Sequence, residues 1–152
     1  MSEHTATIAW QRGSDTFAKG RYSRVHEWHF DGGAVVAACA SPDIVPPPWS
    51  DARAVDPEEA FVAALSSCHM LFFLGFAAKR HWVIESYVDE AVGYMEKNPA
   101  GKMAMVRVVL RPRLVFAGEL PAQTDIDDLH REAHEECYIA NSVRTEVVVE
   151  PQ

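Results

Sequence analysis

Apolar and polar positions alternate through the first forty residues, the period of strands half covered by a core. Residues 4–11 alternate, a turn is expected around Gly13, Ser14 and Asp15, and residues 22–30 lead to a second turn at Asp31-Gly32-Gly33. Residues 34–40 are small and apolar, which suits a covered strand. The prolines at 46, 47 and 48 end that pattern, because proline has no N–H for a ladder, and they make residues 41–51 a loop. The period then changes. Asp56-Pro57-Glu58-Glu59 supplies a capping oxygen, a proline for the first helical position and two acids for the first turn. A helix is predicted from there to about Arg80, where Lys79 and Arg80 suit the negative end of the dipole.

Residues 60–78 of that helix carry no formal charge, and the run is long enough to cross a bilayer. Ser66, Ser67, Cys68 and His69 stand at its middle, where polar groups cost most in lipid, so the expected place is the centre of a soluble protein, wrapped by sheet or by a second subunit. Residues 82–96 and 103–116 read as a long hairpin closed by Lys97-Asn98-Pro99-Ala100-Gly101. Val106, Val108, Leu110, Leu114 and Phe116 fall on one face of its second arm and Arg107, Arg111 and Arg113 on the other, with Pro112 marking an edge or a bulge. Thr124-Asp125-Ile126-Asp127 caps a second helix, whose inward stripe is Ile126, Leu129, Ala133 and Cys137. Residues 142–150 form a last strand. The order β-β-β, helix, β-β, helix, β predicts an α+β fold with mainly antiparallel sheet, in a single domain covering residues 1–152.

Composition narrows the function. A net charge of −8 with scattered basic residues excludes an electrostatic footprint for nucleic acid. The first residues show no basic segment followed by an apolar one, so a cytoplasmic location is expected. Three cysteines in such a chain point to catalysis, metal binding or simple burial rather than to structural disulfides. Cys39, on the small-residue strand, reads as structural. Cys68 lies about ten residues, ~15 Å, beyond the helix start, too far to gain from the dipole, so a reactive thiolate there needs a separate cation.

Two segments carry a family resemblance. DPEEAFVAALSSC resembles the stretch before the reactive cysteine of OsmC/Ohr proteins, where an Asn or Asp, a Pro and a Glu precede that cysteine by ten to twelve residues. AHEECYIANSV resembles the family's second motif, an Ala-His pair followed by a cysteine and, four residues on, an asparagine. The resemblance implies an OsmC-like fold, with mainly antiparallel sheets around two central helices in an intertwined homodimer. It further implies a peroxidase that reduces organic hydroperoxides, with Cys68 peroxidatic, Cys137 resolving, Glu58 steering an arginine, and Arg24 or its neighbour Arg21 as that cation. The reductant would be a dithiol such as a lipoylated protein, and no cofactor, metal, membrane or nucleic acid is called for. His69 departs from the aromatic or small residue the resemblance leads one to expect, and its angle around the helix, about 100° from Cys68, makes it no obvious base for the thiol.

Two further readings come from the residues. Glu58 and Cys68 on one straight helix are ~15 Å apart, so Glu58 should serve Cys68 of a second subunit, with two long helices packed antiparallel at the centre of a dimer. Pro46, Pro47, Pro48 and Trp49 with Phe72, Phe73 and Trp82 could form an apolar mouth favouring organic over hydrogen peroxide. A rival to the enzyme is a non-enzymatic relative binding a small ligand or zinc through His130, His134 and Cys137, with His69 or Cys68 as a fourth ligand. The plainer alternative leaves His130 partly buried and puts His134, Glu135 and Glu136 on a solvated face.

Overall fold

A computed structural model describes residues 1–13 and 16–152. The turn expected at Ser14 and Asp15 lies outside the described residues. The chain divides into two compact units, Met1–Ala60 and Phe61–Gln152.

The first unit is an antiparallel meander. Strand β1 (Ala6–Ala9) pairs with β2 (His26–Phe30), and β2 with β3 (Val35–Ala38). All three are shorter than the alternation predicted, because loops take over at their ends. Cys39 is wholly buried, and its N–H donates to the Val55 carbonyl at 3.0 Å. Helix α1 (Pro57–Lys79) starts where predicted, with a reciprocal capping box: the Glu59 N–H donates to Asp56 Oδ1 at 2.7 Å and the Asp56 N–H to Glu59 Oε2 at 3.2 Å.

The second unit sets α1 against strands and a second helix. Its buried stripe, Leu65, His69, Phe73 and Ala77, recurs every four residues. The predicted hairpin is present but broken in both arms, giving β4 (Val83–Asp89), β5 (Val92–Lys97), β6 (Met103–Leu110) and β7 (Pro112–Ala117). β5 pairs with β6 and β4 with β7, all antiparallel. The break falls at Arg111, whose N–H donates to Asp89 Oδ1 at 2.6 Å, and Pro112 then has no N–H to continue the first ladder. The expected alternation fails at the end of β6, where Val108, Val109 and Leu110 are all buried. The cause is β8 (Glu146–Val149), which pairs parallel with β6 and makes it a central strand.

Helix α2 (Gln123–Glu136) begins earlier than Thr124-Asp125 suggested. Ala122 is its cap residue, and the Ala122 carbonyl accepts from the N–H groups of Asp125 and Ile126 with no capping side chain. Ile126, Leu129 and Ala133 pack with Phe73 and Ala77 of α1, while Leu65 packs with Val108 and Leu110. A short helix α3 (Tyr138–Asn141) follows immediately.

Candidate active site

The two motif cysteines are neighbours. Cys68 is half-buried on α1 and Cys137 is 1 % exposed; both are free thiols, and the Cys68 side chain lies near enough to influence the Cys137 thiol. Cys137 is not a member of the α2 stripe. The helix stops at Glu136, and Cys137, with ψ 110, is the joint between α2 and α3. That turn swings its sulfur out of helical register, and the Ala140 N–H donates to Sγ at 3.4 Å. Burial pushes the Cys137 thiol up to about 11; the Ala140 N–H opposes this, and the adjacent Cys68 sulfur adds to it. Cys137 is therefore a neutral thiol at neutral pH.

Among the described residues, no group of three His, Cys, Asp or Glu side chains could hold a metal ion, His130, His134 and Cys137 included.

Glu58 and Arg24 lie in the first unit and make no ion pair with each other. Arg24 Nη1 donates to the carbonyls of Gly20 at 3.1 Å and Tyr22 at 2.5 Å, and its guanidinium lies 3.7 Å from the centre of the Tyr22 ring. Among the described residues it has no carboxylate partner, and Glu58, half-buried, has no cation. Arg21 is exposed and bridges in backbone fashion to Thr16.

The apolar mouth loses a member, because Phe73 is wholly buried in the core, with Phe72 and Trp82 packed against it. Pro46, Pro47 and Pro48 are exposed.

The histidines are where the sequence misled most. His69 and His130 are 1 % and 3 % exposed. Their rings are parallel within 5°, 5.4 Å between centres, with His69 Nε2 and His130 Nδ1 3.1 Å apart. The outer nitrogens, His69 Nδ1 and His130 Nε2, are buried without partners, as is His134 Nδ1, so His134 is not on a solvated face either. Burial, with the neighbouring His130 and His134 rings, holds His69 down at about 3, and burial holds His130 at about 4. Both are neutral imidazoles. The signal was in the chain: His69 falls in the four-residue stripe of Leu65 and Phe73, and His130 one turn after Ile126.

These features define a class: an α+β protein carrying two neighbouring reduced cysteines, one on a long apolar helix and one at the joint of two others. The chain belongs to the OsmC-like protein family, whose model matches residues 50–152. It is similar along its whole length to an OsmC-like protein of unknown function from Vibrio cholerae, at 54 % identity and a TM-score of 0.98 with both chains fully covered. Its fold is also that of an organic hydroperoxide resistance protein OsmC from Legionella pneumophila (18 % identity, 99 % of this chain and 96 % of that one, TM-score 0.69). The organic hydroperoxide resistance protein OhrB of Bacillus subtilis shares it too (18 %, 97 % and 98 %, TM-score 0.67). No curated protein matches the chain.

Proposed function

We propose that this protein is a thiol-dependent peroxidase that reduces organic hydroperoxides to alcohols. The thiolate of Cys68 attacks the outer peroxide oxygen; an S–O bond forms, the O–O bond breaks, and the leaving alkoxide takes up a proton. Cys137 then attacks the Cys68 sulfur, the S–S bond forms, the S–O bond breaks, and water leaves. A dithiol, such as a lipoylated protein in the cytoplasm, returns the pair to thiols. The observation carrying this reading is the nearness of two free cysteines, Cys68 and Cys137, since a binding module has no use for such a pair. The names of the Legionella and Bacillus structures point to the same substrate class.

Arg24 is the cation that favours thiolate and donates to the peroxide oxygens, and Glu58 fixes its fork of donors. Ten residues of helix, ~15 Å, separate Glu58 from Cys68, so the Glu58 that serves each Cys68 comes from a second copy of the chain. The dimer packs α1 against α1. In support, Ala63, Ala64, Ser67, Leu71 and Gly75 form an exposed small and apolar stripe on that helix, Leu71 being 63 % exposed.

Intact-mass analysis after one equivalent of cumene hydroperoxide tests the chemistry. The wild type should lose two hydrogens, and Cys137→Ser should carry a trappable sulfenic acid on Cys68. Protein left unchanged in mass by excess peroxide would overturn the proposal.

A further inference from the structure

The second unit holds a cavity of about 740 Å³, the size of a small-molecule site, and neither cysteine lines it. Its walls are the tip of the β5–β6 hairpin at residues 98–100, β6 at residues 104–106, and the connection at residues 142–145 that leads from α3 into β8, with Phe61 of α1. Local bonds fix these walls. Thr145 Oγ1 donates to the Met105 carbonyl at 2.7 Å, which ties the connection to β6. Asn98 Oδ1 accepts from the N–H groups of Ala100 and Lys102, both at 3.0 Å, which sets the hairpin tip. Phe61 packs against the cluster of Leu65, Val108 and Leu110. Most of the lining is apolar, and its polar members are short of acceptors. The Ser142 and Thr145 hydroxyls donate to backbone carbonyls. Asn98 Nδ2, among the described residues, has no acceptor. Arg144 likewise makes no ion pair or side-chain hydrogen bond among them, whereas Arg80, Arg107, Arg111 and Arg131 of the same unit each pair with a carboxylate. No Asp or Glu lines the cavity, in a chain of net charge −8. Glu146, the acid closest in sequence, is turned to Arg107 at 3.6 Å.

We propose that this cavity is a reversible binding site for an organic monocarboxylate with an apolar body, independent of the cysteine pair. The Arg144 guanidinium offers a fork of donors that a carboxylate meets with two parallel hydrogen bonds. The apolar body lies against Phe61 and β6 and gains from leaving water. Neither half suffices. An exposed arginine–carboxylate pair contributes little by itself, and a neutral apolar molecule leaves the Arg144 and Asn98 donors facing a dry neighbour. A cation would be repelled by Arg144, and a multiply charged anion would press its remaining charge against apolar walls. One negative charge on an apolar skeleton satisfies both features of the lining. Because the walls are held before the ligand arrives, little ordering opposes binding. The ligand is held unchanged, with no bond made or broken.

Titration calorimetry of the full chain with decanoate, decanol and acetate tests the site. Decanoate should bind saturably, one per chain, and decanol and acetate at least tenfold more weakly. Arg144→Ala, a change at an exposed side chain, should weaken decanoate at least tenfold and leave decanol as it was, while Arg144→Lys should recover part of the loss. Ala100→Trp, which puts an indole into the mouth from the hairpin tip, should abolish decanoate binding. Decanol bound as tightly as decanoate would reduce the site to apolar adsorption, and acetate bound as tightly would reduce it to an unspecific anion contact; either overturns the proposal. So does decanoate affinity that Arg144→Ala leaves intact, which would put the ligand elsewhere, such as on the exposed face of α1. Cys68→Ser should bind decanoate like the wild type, so a protein inert towards hydroperoxides would sink the peroxidase and leave this site standing.

Discussion

His69 and His130 hold their neutral forms only while buried, and acid should expose this. Both fall below the ordinary histidine value of 6.5, to about 3 and about 4, so the unfolded chain binds their protons first as pH drops. Their effect on stability is absent above pH 6.5 and grows as a penalty from there down towards 4. One unit below 6.5 it is on the order of 1 kcal/mol per histidine. Denaturant unfolding at pH 7.5 and pH 5.5 should show the loss, and His69→Phe should remove part of that difference; an equal slope in the variant would refute the assignment. At this scale the chain announced some residues and hid others. Cys68 and Cys137 were legible because each sits in a segment with a family pattern. The inward stripe gave Ile126, Leu129 and Ala133 correctly. The burial of each histidine could be read from its stripe, but their pairing could not, since 61 residues separate them and only tertiary packing makes two rings share one hydrogen bond.

Elements starting with side-chain chemistry were read closely, and elements made by tertiary context were not. Asp56 and Glu59 cap α1 locally, so its start was visible; α2 lacks a capping side chain and begins at Gln123, so that Asp125 falls in its first turn instead of marking its cap. The break in the long hairpin depends on Asp89, which reaches across from β4 to the Arg111 N–H and also accepts from Ser66 Oγ of α1 at 2.5 Å. No pattern within 103–116 contains that information. The parallel pairing of β8 with β6, which buries Val109 as well as Val108, is equally nonlocal. Gly93 belongs to the same layer. A Cβ there would run into Met105 Cε and stand 2.6 Å from Val62 Cγ2 on α1. Gly93→Ala should therefore cost about 1–3 kcal/mol, as overpacked sites do, despite glycine's poor fit to strands. A midpoint of thermal unfolding equal to or above that of the wild type would show that β5 yields more easily than this contact implies.

At the scale of the whole molecule, the helix that carries Cys68 is left largely uncovered by a single copy. Its mean hydropathy over an 18-residue window is 1.8, yet only 22 % of that window is buried. Length and composition alone would also allow a membrane span. Ser66 bonded to Asp89, and His69 bonded to His130, instead tie the polar middle of α1 to the protein around it. The face left open, through Ala63, Ser67, Leu71 and Gly75, is small-sided and admits close approach of a second α1. In the proposed dimer an antiparallel crossing there would bring the Glu58 end of one helix towards Cys68 of the other, which a single straight helix cannot do. The arrangement makes complementation decisive. On the proposed mechanism, Glu58→Ala and Cys68→Ser should each disable a subunit in a different way. In a mixed dimer with shared sites, the intact Cys68 of the first variant meets the intact Glu58 of the second. Equal mixtures refolded together should recover about a quarter of wild-type peroxide turnover, since half the dimers are mixed and each has one complete site. Sites built within one chain would recover nothing, because every chain in the mixture lacks one of the two residues.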